Sequence, residues 1–104
     1  MITRMNMTYH ARIERADRLA ACIEHLGLDD IVLEVILHKN MFRLTNTGII
    51  FVYDVTGEVL ITGYMATMKK TTMLYRSQGY ERIPQNIYNR VVKINKRYKF
   101  LLEL

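Results

Sequence analysis

Hydrophobic residues recur at helical spacing near the start of the chain. Between Thr8 and Leu26 they fall three and four positions apart. This pattern predicts an amphipathic helix that is capped by the Thr8 hydroxyl and ended by Gly27 in the left-handed conformation. The next stretch, "DDIVLEVILHK", opens with two acids that suit a helix N-terminus, but the apolar run within residues 30–38 is rich in β-branched side chains. We expect a short second helix there and keep a strand as the alternative.

The middle of the chain has the composition of strands. The segments "MFRL", "GIIFVYDV" and "EVLITGYM" are rich in β-branched and aromatic residues. The stretch "DVTGEV" joins the last two and supplies Gly57 for a tight turn. These segments predict an antiparallel meander whose central strands are buried on both faces in places.

Helical patterns return after the third strand segment. The stretch "ATMKKTTMLYRSQG" predicts a helix closed by Gly79, and its expected inward positions are Met65, Met68, Leu74 and Tyr75. A stronger amphipathic pattern begins at Pro84, because proline suits the first turn of a helix. Its apolar stripe consists of Ile87, Val91, Ile94, Tyr98 and Leu101.

These elements predict one α+β domain that spans residues 1–104. We expect a small antiparallel β-meander of about three strands, with one face covered by an N-terminal helical pair and a long C-terminal helix. Half of the 104 residues are hydrophobic, which suffices to bury a core without disulfides. No repeat or low-complexity linker divides the chain.

Charge is distributed unevenly along this domain. The formal net charge of +5 arises from −2 in residues 1–38, 0 in residues 39–64 and +7 in residues 65–104. A basic C-terminal part favours an anionic partner, most often the backbone of RNA or DNA, although a solvated surface gives the same pattern. The side chains expected to bind nucleic acid are Lys69, Lys70, Arg76, Arg90, Lys93, Lys96 and Arg97.

The cysteine and histidine content narrows the class of protein. Cys22 is the only cysteine, so no disulfide forms within the chain, and its mid-helix position is typical of buried filler. The three histidines and the acids lack metal-ligand spacing, so we expect no metal and no cofactor.

The first residues lack the apolar core of a signal peptide, and no apolar run is long enough to cross a membrane. We therefore expect a cytoplasmic protein with no membrane partner.

The stretch "TYHARIERADR" gathers a histidine and several arginines within the first predicted helix. His10 is the candidate for proton transfer, because imidazole titrates near neutral pH. Arg18 falls about 80° from His10 around a helix, whereas Arg12 and Arg15 point to other faces. Most of the cluster therefore also fits an ordinary solvated face, with Glu14 and Arg18 at the favourable spacing of four.

Two hydroxyl side chains lie at the end of the last predicted strand. Thr62 and Tyr64 are two positions apart, so in a strand they point to the same face, about 7 Å apart. Such a pair suits a shallow site for a phosphate or a base. An ordinary strand threonine and a tyrosine at the edge of the core would give the same pattern.

These two stretches resemble those of a known group of enzymes. A "T-x-H-A…E-R…R" box that opens a helix, followed by a meander ending in "IT-x-Y", is similar to small toxin-type domains of the barnase–EndoU–colicin–RelE ribonuclease group. The likeness spans residues 8–64. It implies an RNA-cleaving site with the catalytic residues His10, Arg15, Arg18, Thr62 and Tyr64. The short chain, rich in Lys, Tyr and Asn, also resembles phage early proteins.

Two functions of different classes remain open. The first is a small phage-like protein of ribonuclease-like build, active or degenerate, that binds nucleic acid through a basic C-terminal helix. If it is active, His10 acts as general acid or base without a metal, and Arg18 stabilises the phosphate charge. Thr62 or Tyr64 then positions the phosphate. The second is a non-enzymatic, anti-CRISPR-like inhibitor or adaptor that binds a host nuclease or defence complex through exposed Tyr and Arg side chains.

Overall fold

The chain folds as a sheet with helices packed on both faces. A computed structural model describes residues 6–7 and 16–103. In chain order the elements are β1 (Asn6–Met7), α1 (Ala16–Leu26), β2 (Ile31–Leu37), β3 (Asn40–Thr45), β4 (Ile49–Asp54), β5 (Val59–Met65), α2 (Met68–Ser77), α3 (Gln85–Arg97) and a 3₁₀ helix (Lys99–Glu103). None of the helices in these residues has the length and apolar character needed to cross a membrane.

The sheet is a meander in which each strand from β2 to β5 pairs antiparallel with the next. β1 adds two residues that pair parallel with Val59 and Leu60 of β5. In the turn between β4 and β5, the Asp54 carboxylate accepts hydrogen bonds from the Thr56 hydroxyl at 2.7 Å and the Val59 N–H at 3.3 Å. Gly57 has a φ of +75° there, which confirms the predicted tight turn.

Successive residues of β4 belong to two separate hydrophobic cores. Ile49, Phe51 and Tyr53 pack in the core that includes residues of α1 and the 3₁₀ helix. Ile50 and Val52 pack in the core that includes residues of α2 and α3. The alternating directions of strand side chains explain the split, and the uninterrupted apolar run of β4 follows from its burial on both faces.

The predicted arrangement of elements is wrong in the N-terminal half. Residues 30–38 contain β2 and not a second helix, so the antiparallel sheet has four strands and the N-terminal helical pair is the single helix α1. Val35 is 1% exposed whereas the next residue, Ile36, is 58% exposed, which is the alternation of a strand. Pairing of the β-branched run with β3 outweighs the helix-start signal of the preceding acids.

The positions of the helices on the sheet also differ from the prediction. They lie on both faces of the sheet and not on one, because the two cores place α1 opposite α2 and most of α3. α1 ends as predicted at Gly27, which has a φ of +79° and donates from its N–H to the Ile23 carbonyl at 2.8 Å. The predicted start at Thr8 lies outside the described residues.

The helix α2 forms where the sequence predicts it. Its first turn is capped by Thr67, whose hydroxyl accepts from the Lys70 N–H at 3.2 Å. Leu74 and Tyr75 are buried as expected, and Gly79 donates to the carbonyl of Arg76 at the helix end. Met65, expected in this helix, is instead the last residue of β5.

The predicted long C-terminal helix is divided into α3 and the 3₁₀ helix. Pro84 is the N-cap of α3, one position before the first turn, and the expected apolar stripe is buried at Ile87, Val91 and Ile94. The helix ends at Arg97, so Leu101 belongs to the 3₁₀ helix.

α3 crosses the end of the sheet. Ile87 and Val91 pack in one core and Ile94 packs in the other. The crossing is close, since a Cβ on Gly48 in the turn between β3 and β4 would collide with the Ile94 side chain. Asn95 fixes the helix to the end of β5 by donating from Nδ2 to the Ala66 carbonyl at 2.7 Å.

Candidate functional site

Gly63 allows α1 to pack directly on β5. A Cβ on Gly63 would lie only 2.6 Å from a methyl group of Leu19, a buried residue of α1. The bare backbone at this position therefore lets the helix approach the strand. The neighbouring residue of the helix, Arg18, is brought to the end of β5 by the same contact.

Arg18 joins the two stretches that the sequence singles out. Its Nη2 donates to Thr62 Oγ1 at 2.8 Å, and its Nε donates to the Gly63 carbonyl at 3.2 Å. The guanidinium carbon lies 5.5 Å from the centroid of the Tyr64 ring, within the range of a cation–π contact. The structure thus brings together three of the five residues expected at the catalytic site.

A pocket of about 360 Å³ opens beside these side chains. We call it the strand-end pocket, and its lining includes Arg18, Thr62, Tyr64, Thr67, Lys70 and Leu101. The Lys70 Nζ lies 5.7 Å from the Tyr64 ring, so two cations flank one aromatic ring. No carboxylate is among the lining residues within the described part of the chain. The pocket is therefore electropositive and suits an anion.

The Tyr64 hydroxyl is held in its protonated form. Burial raises its pKa above the ordinary value of 10.0, and the positive charge of Arg18 opposes this increase. At neutral pH the phenol can therefore donate a hydrogen bond, but it is not a phenolate base. This chemistry suits the positioning of a phosphate better than proton abstraction.

The remaining two residues of the expected catalytic site, His10 and Arg15, lie outside the described residues. The catalytic roles inferred for the whole set stay predictions.

A second pocket, of about 80 Å³, lies where α3 passes the end of α1 and the turn between β3 and β4. We call it the basic pocket, and its polar lining includes His25, Thr47, Arg90, Lys93, Arg97 and Tyr98. The Thr47 hydroxyl donates to the Gly27 carbonyl at 2.9 Å and so ties the turn to the end of α1. The three cations come from one side of α3, at positions three and four apart.

The cations of the basic pocket form no ion pair with an acidic side chain among residues 18–102. The single ion pair there joins Arg43 to Glu34 at 2.8 Å, away from α3. Arg97 instead lies 5.5 Å from the ring of Tyr98. Three positive charges that have no ion-pair partner among these residues repel one another, and an anion bound between them would relieve this repulsion.

The other predicted nucleic-acid-binding residues lie elsewhere. Lys70 lines the strand-end pocket, and Arg76 lines a groove between α2 and α3. Lys69 and Lys96 are exposed. The residues expected to bind nucleic acid are therefore divided among separate pockets.

Several residues of these sites were not identified from the sequence. His25 and Thr47 complete the basic pocket, but they are distant from α3 in the chain and have no local signal. The groove between α2 and α3 adds Arg82 and Tyr88. Tyr88 could have been identified from the sequence, because it is an aromatic residue outside the apolar stripe of its helix.

No group of three His, Cys, Asp or Glu side chains that could hold a metal ion occurs in the part of the chain that the structure describes. Comparisons of the chain with protein-family models, with curated proteins and with solved structures found no match. The resemblance to the toxin-type ribonucleases therefore stays a prediction.

Proposed function

We propose that this protein binds the phosphate backbone of RNA or DNA through the basic pocket. One observation carries the proposal: Arg90, Lys93 and Arg97 line the same pocket, and none of its lining residues in the described part of the chain is acidic. Guanidinium and ammonium groups are the side chains that most often bind phosphate oxygens. The protein is then a small phage-like nucleic-acid-binding protein of the cytoplasm, a compartment that suits its buried free Cys22.

The salt dependence of binding tests this proposal. Affinity falls as salt rises, and each phosphate contact that is removed reduces the magnitude of the slope of log affinity against log salt by roughly 0.7–0.9. The double variant Lys93→Ala, Arg97→Ala should therefore bind labelled RNA or DNA more weakly and with a slope whose magnitude is smaller by about 1.4–1.8. Fluorescence anisotropy over a salt series gives both quantities.

The matched control removes two positive charges outside the pocket. Lys39→Asn with Lys99→Ala has the same change in net charge, and asparagine tolerates the positive φ of 66° at position 39. This control should bind labelled RNA or DNA with nearly the wild-type affinity and nearly the wild-type slope of log affinity against log salt. If the two double variants behave alike, net charge and not the basic pocket determines binding. If the pocket variant keeps the wild-type affinity and slope, the proposal is wrong.

The strand-end pocket supports a second candidate, cleavage of RNA. The Arg18 guanidinium beside Thr62 and Tyr64 provides a cation and two hydroxyls for a phosphodiester, with His10 as the proposed general acid or base. Labelled RNA incubated with the protein in EDTA tests this activity. Cleavage should be lost in His10→Ala, and cleavage at the wild-type rate in that variant would remove His10 from the mechanism.

The edge strand β2 supports the alternative of a non-enzymatic inhibitor. Ile31, Val32 and Ile36 are 45%, 41% and 58% exposed, and within the described residues β2 pairs only with β3. An exposed apolar strand edge suits pairing with a strand of another protein. A stoichiometric complex with a host nuclease, lost in Ile36→Lys, together with no turnover of nucleic acid, would favour this function.

A further inference from the structure

The groove between α2 and α3 has the size and lining of a small-ligand site. Its volume is about 340 Å³, within the range of roughly 300–1,000 Å³ that is common for such sites. We call it the interhelical groove. Met68, Tyr75 and Ile83 contribute its apolar lining. Tyr75 is 3% exposed, and the Tyr80 ring contacts it edge-on with centroids 5.1 Å apart, so this wall is fixed before any ligand binds.

Tyr88 gives the groove an aromatic face that is open to solvent. It is 46% exposed, although Ile87 beside it and Val91 one turn later are buried in the core. A flat aromatic ring in this position can stack on another planar ring. Every nucleobase presents such a planar face, so stacking on Tyr88 tolerates any base.

The polar side chains of the groove match the other parts of a nucleotide. Arg76 and Arg82 line it, and neither forms an ion pair with a carboxylate elsewhere in the described chain. Gln85 donates from Nε2 to Asn89 at 2.8 Å, which leaves its Oε1 able to accept a hydrogen bond from a base. Glu81 adds a carboxylate acceptor for the N–H groups on base edges. An aromatic face, two cations and two acceptors therefore surround one cavity.

We infer that the interhelical groove binds one unpaired nucleotide of a single strand, with its base stacked on Tyr88 and its phosphate held by Arg76 and Arg82. This inference rests on the proposed function, and it adds a preference for single-stranded over duplex nucleic acid. In a duplex both faces of every internal base are covered by neighbouring base pairs, so Tyr88 can stack only at the ends of the duplex. The basic pocket binds only backbone and does not provide this preference.

The test compares Tyr88→Ala with Val92→Ala. Val92 lies one turn further along the same helix, is also 46% exposed and does not line the groove. Affinities are measured by fluorescence anisotropy for a short labelled RNA and for its blunt duplex. Tyr88→Ala should weaken single-strand binding about 5- to 150-fold, the effect of losing one stacked base. Its duplex affinity and salt slope should not change, because tyrosine is neutral.

Two further measurements separate the possible outcomes. Tyr88→Phe keeps the ring and should keep single-strand affinity, which excludes a general loss of folding as the cause. If Tyr88→Ala and Val92→Ala bind the single strand equally well while the Lys93, Arg97 variant is impaired, the inference is wrong and the proposed function stands. If the wild type binds neither nucleic acid, both are wrong. If a free mononucleotide binds the groove as tightly as the single strand does, the ligand is a free nucleotide and the inference for single strands is overturned.

Discussion

The Nη2 atom of Arg18 donates to the hydroxyl oxygen of Thr62 at 2.8 Å, which joins two residues 44 positions apart in the chain. Together with the bond from Arg18 Nε to the Gly63 carbonyl, it fastens α1 to the end of β5. The same guanidinium lines the strand-end pocket. Arg18 therefore has a structural role that is present without any ligand.

The structural role of Arg18 predicts a loss of stability in Arg18→Ala. Hydrogen bonds from a charged donor contribute about 1.5–3 kcal/mol when buried, and Arg18 is only partly buried. We expect the free energy of unfolding in urea to fall by about 1–3 kcal/mol. Arg90→Ala, which removes an exposed arginine, should change it by less than about 0.5 kcal/mol. Equal values for the two variants would mean that the bonds to Thr62 and Gly63 do not hold α1 in solution.

The assignment of β2 as a strand predicts that substitutions at two adjacent positions change the free energy of unfolding by unequal amounts. Val35 is buried and Ile36 is exposed, so Val35→Ala should lower the free energy of unfolding by about 1–3 kcal/mol. Ile36→Thr, which keeps a β-branched side chain, should change it by less than about 0.5 kcal/mol. Denaturant unfolding measures both. A larger loss in Ile36→Thr than in Val35→Ala would contradict the register of β2.

The docking of α3 predicts a similar contrast on one helix. Ile94 is 3% exposed, so Ile94→Ala removes buried volume and should lower the free energy of unfolding by about 2–5 kcal/mol. Val92→Ala removes a half-exposed side chain and should stay within about 0.5 kcal/mol of the wild type. Thermal unfolding that is unchanged in Ile94→Ala would show that α3 does not pack against the sheet as described.

The turn at Asp54 predicts a dependence of stability on pH. The hydrogen bond from the Thr56 hydroxyl and those from backbone N–H groups hold the pKa of this carboxylate below its ordinary value of 3.8. The stabilisation from the ionised group is therefore fully present above pH 3.8 and is lost as the pH falls through the lowered pKa. Asp54→Asn should have a lower melting temperature than the wild type at pH 7, and the difference should shrink in acid.

A neighbouring carboxylate provides the control for this pH dependence. Glu58 is exposed, and its side chain does not accept the hydrogen bonds of the turn. Glu58→Gln should follow the wild-type melting temperature from neutral to acidic pH. A constant difference between Asp54→Asn and the wild type at every pH would exclude the ionised carboxylate as the source of the effect.

Local signals in the sequence predicted the elements whose structure is fixed locally. The turn at Gly57 needs only a glycine between two strands, and the stripe that includes Ile87 and Val91 needs only helical spacing. For residues 30–38 the expected helix is wrong and the strand that was the alternative is correct, because a short apolar run is compatible with both helix and strand. Its strand form depends on pairing with β3, which the segment itself does not reveal.

The candidate sites were predictable to the extent that their residues are close in sequence. Arg90, Lys93 and Arg97 share a helix side, so their convergence follows from spacing. His25 lines the basic pocket because of how α1 packs beside α3, and helical spacing does not predict the packing of two helices. The meeting of Arg18 with Thr62 followed from the resemblance alone. Its physical cause, the close approach at Gly63, became apparent only in the folded chain.

The crossing of α3 over the end of the sheet couples the two cores. The helix supplies Ile87 and Val91 to one core and Ile94 to the other, so neither face of the sheet can be uncovered while the helix stays intact. The two cores should therefore unfold in one cooperative transition, without a partly folded state that keeps only one of them. The slowest-exchanging amides of α1 and α3 should then share the same opening free energy, equal to that of global unfolding.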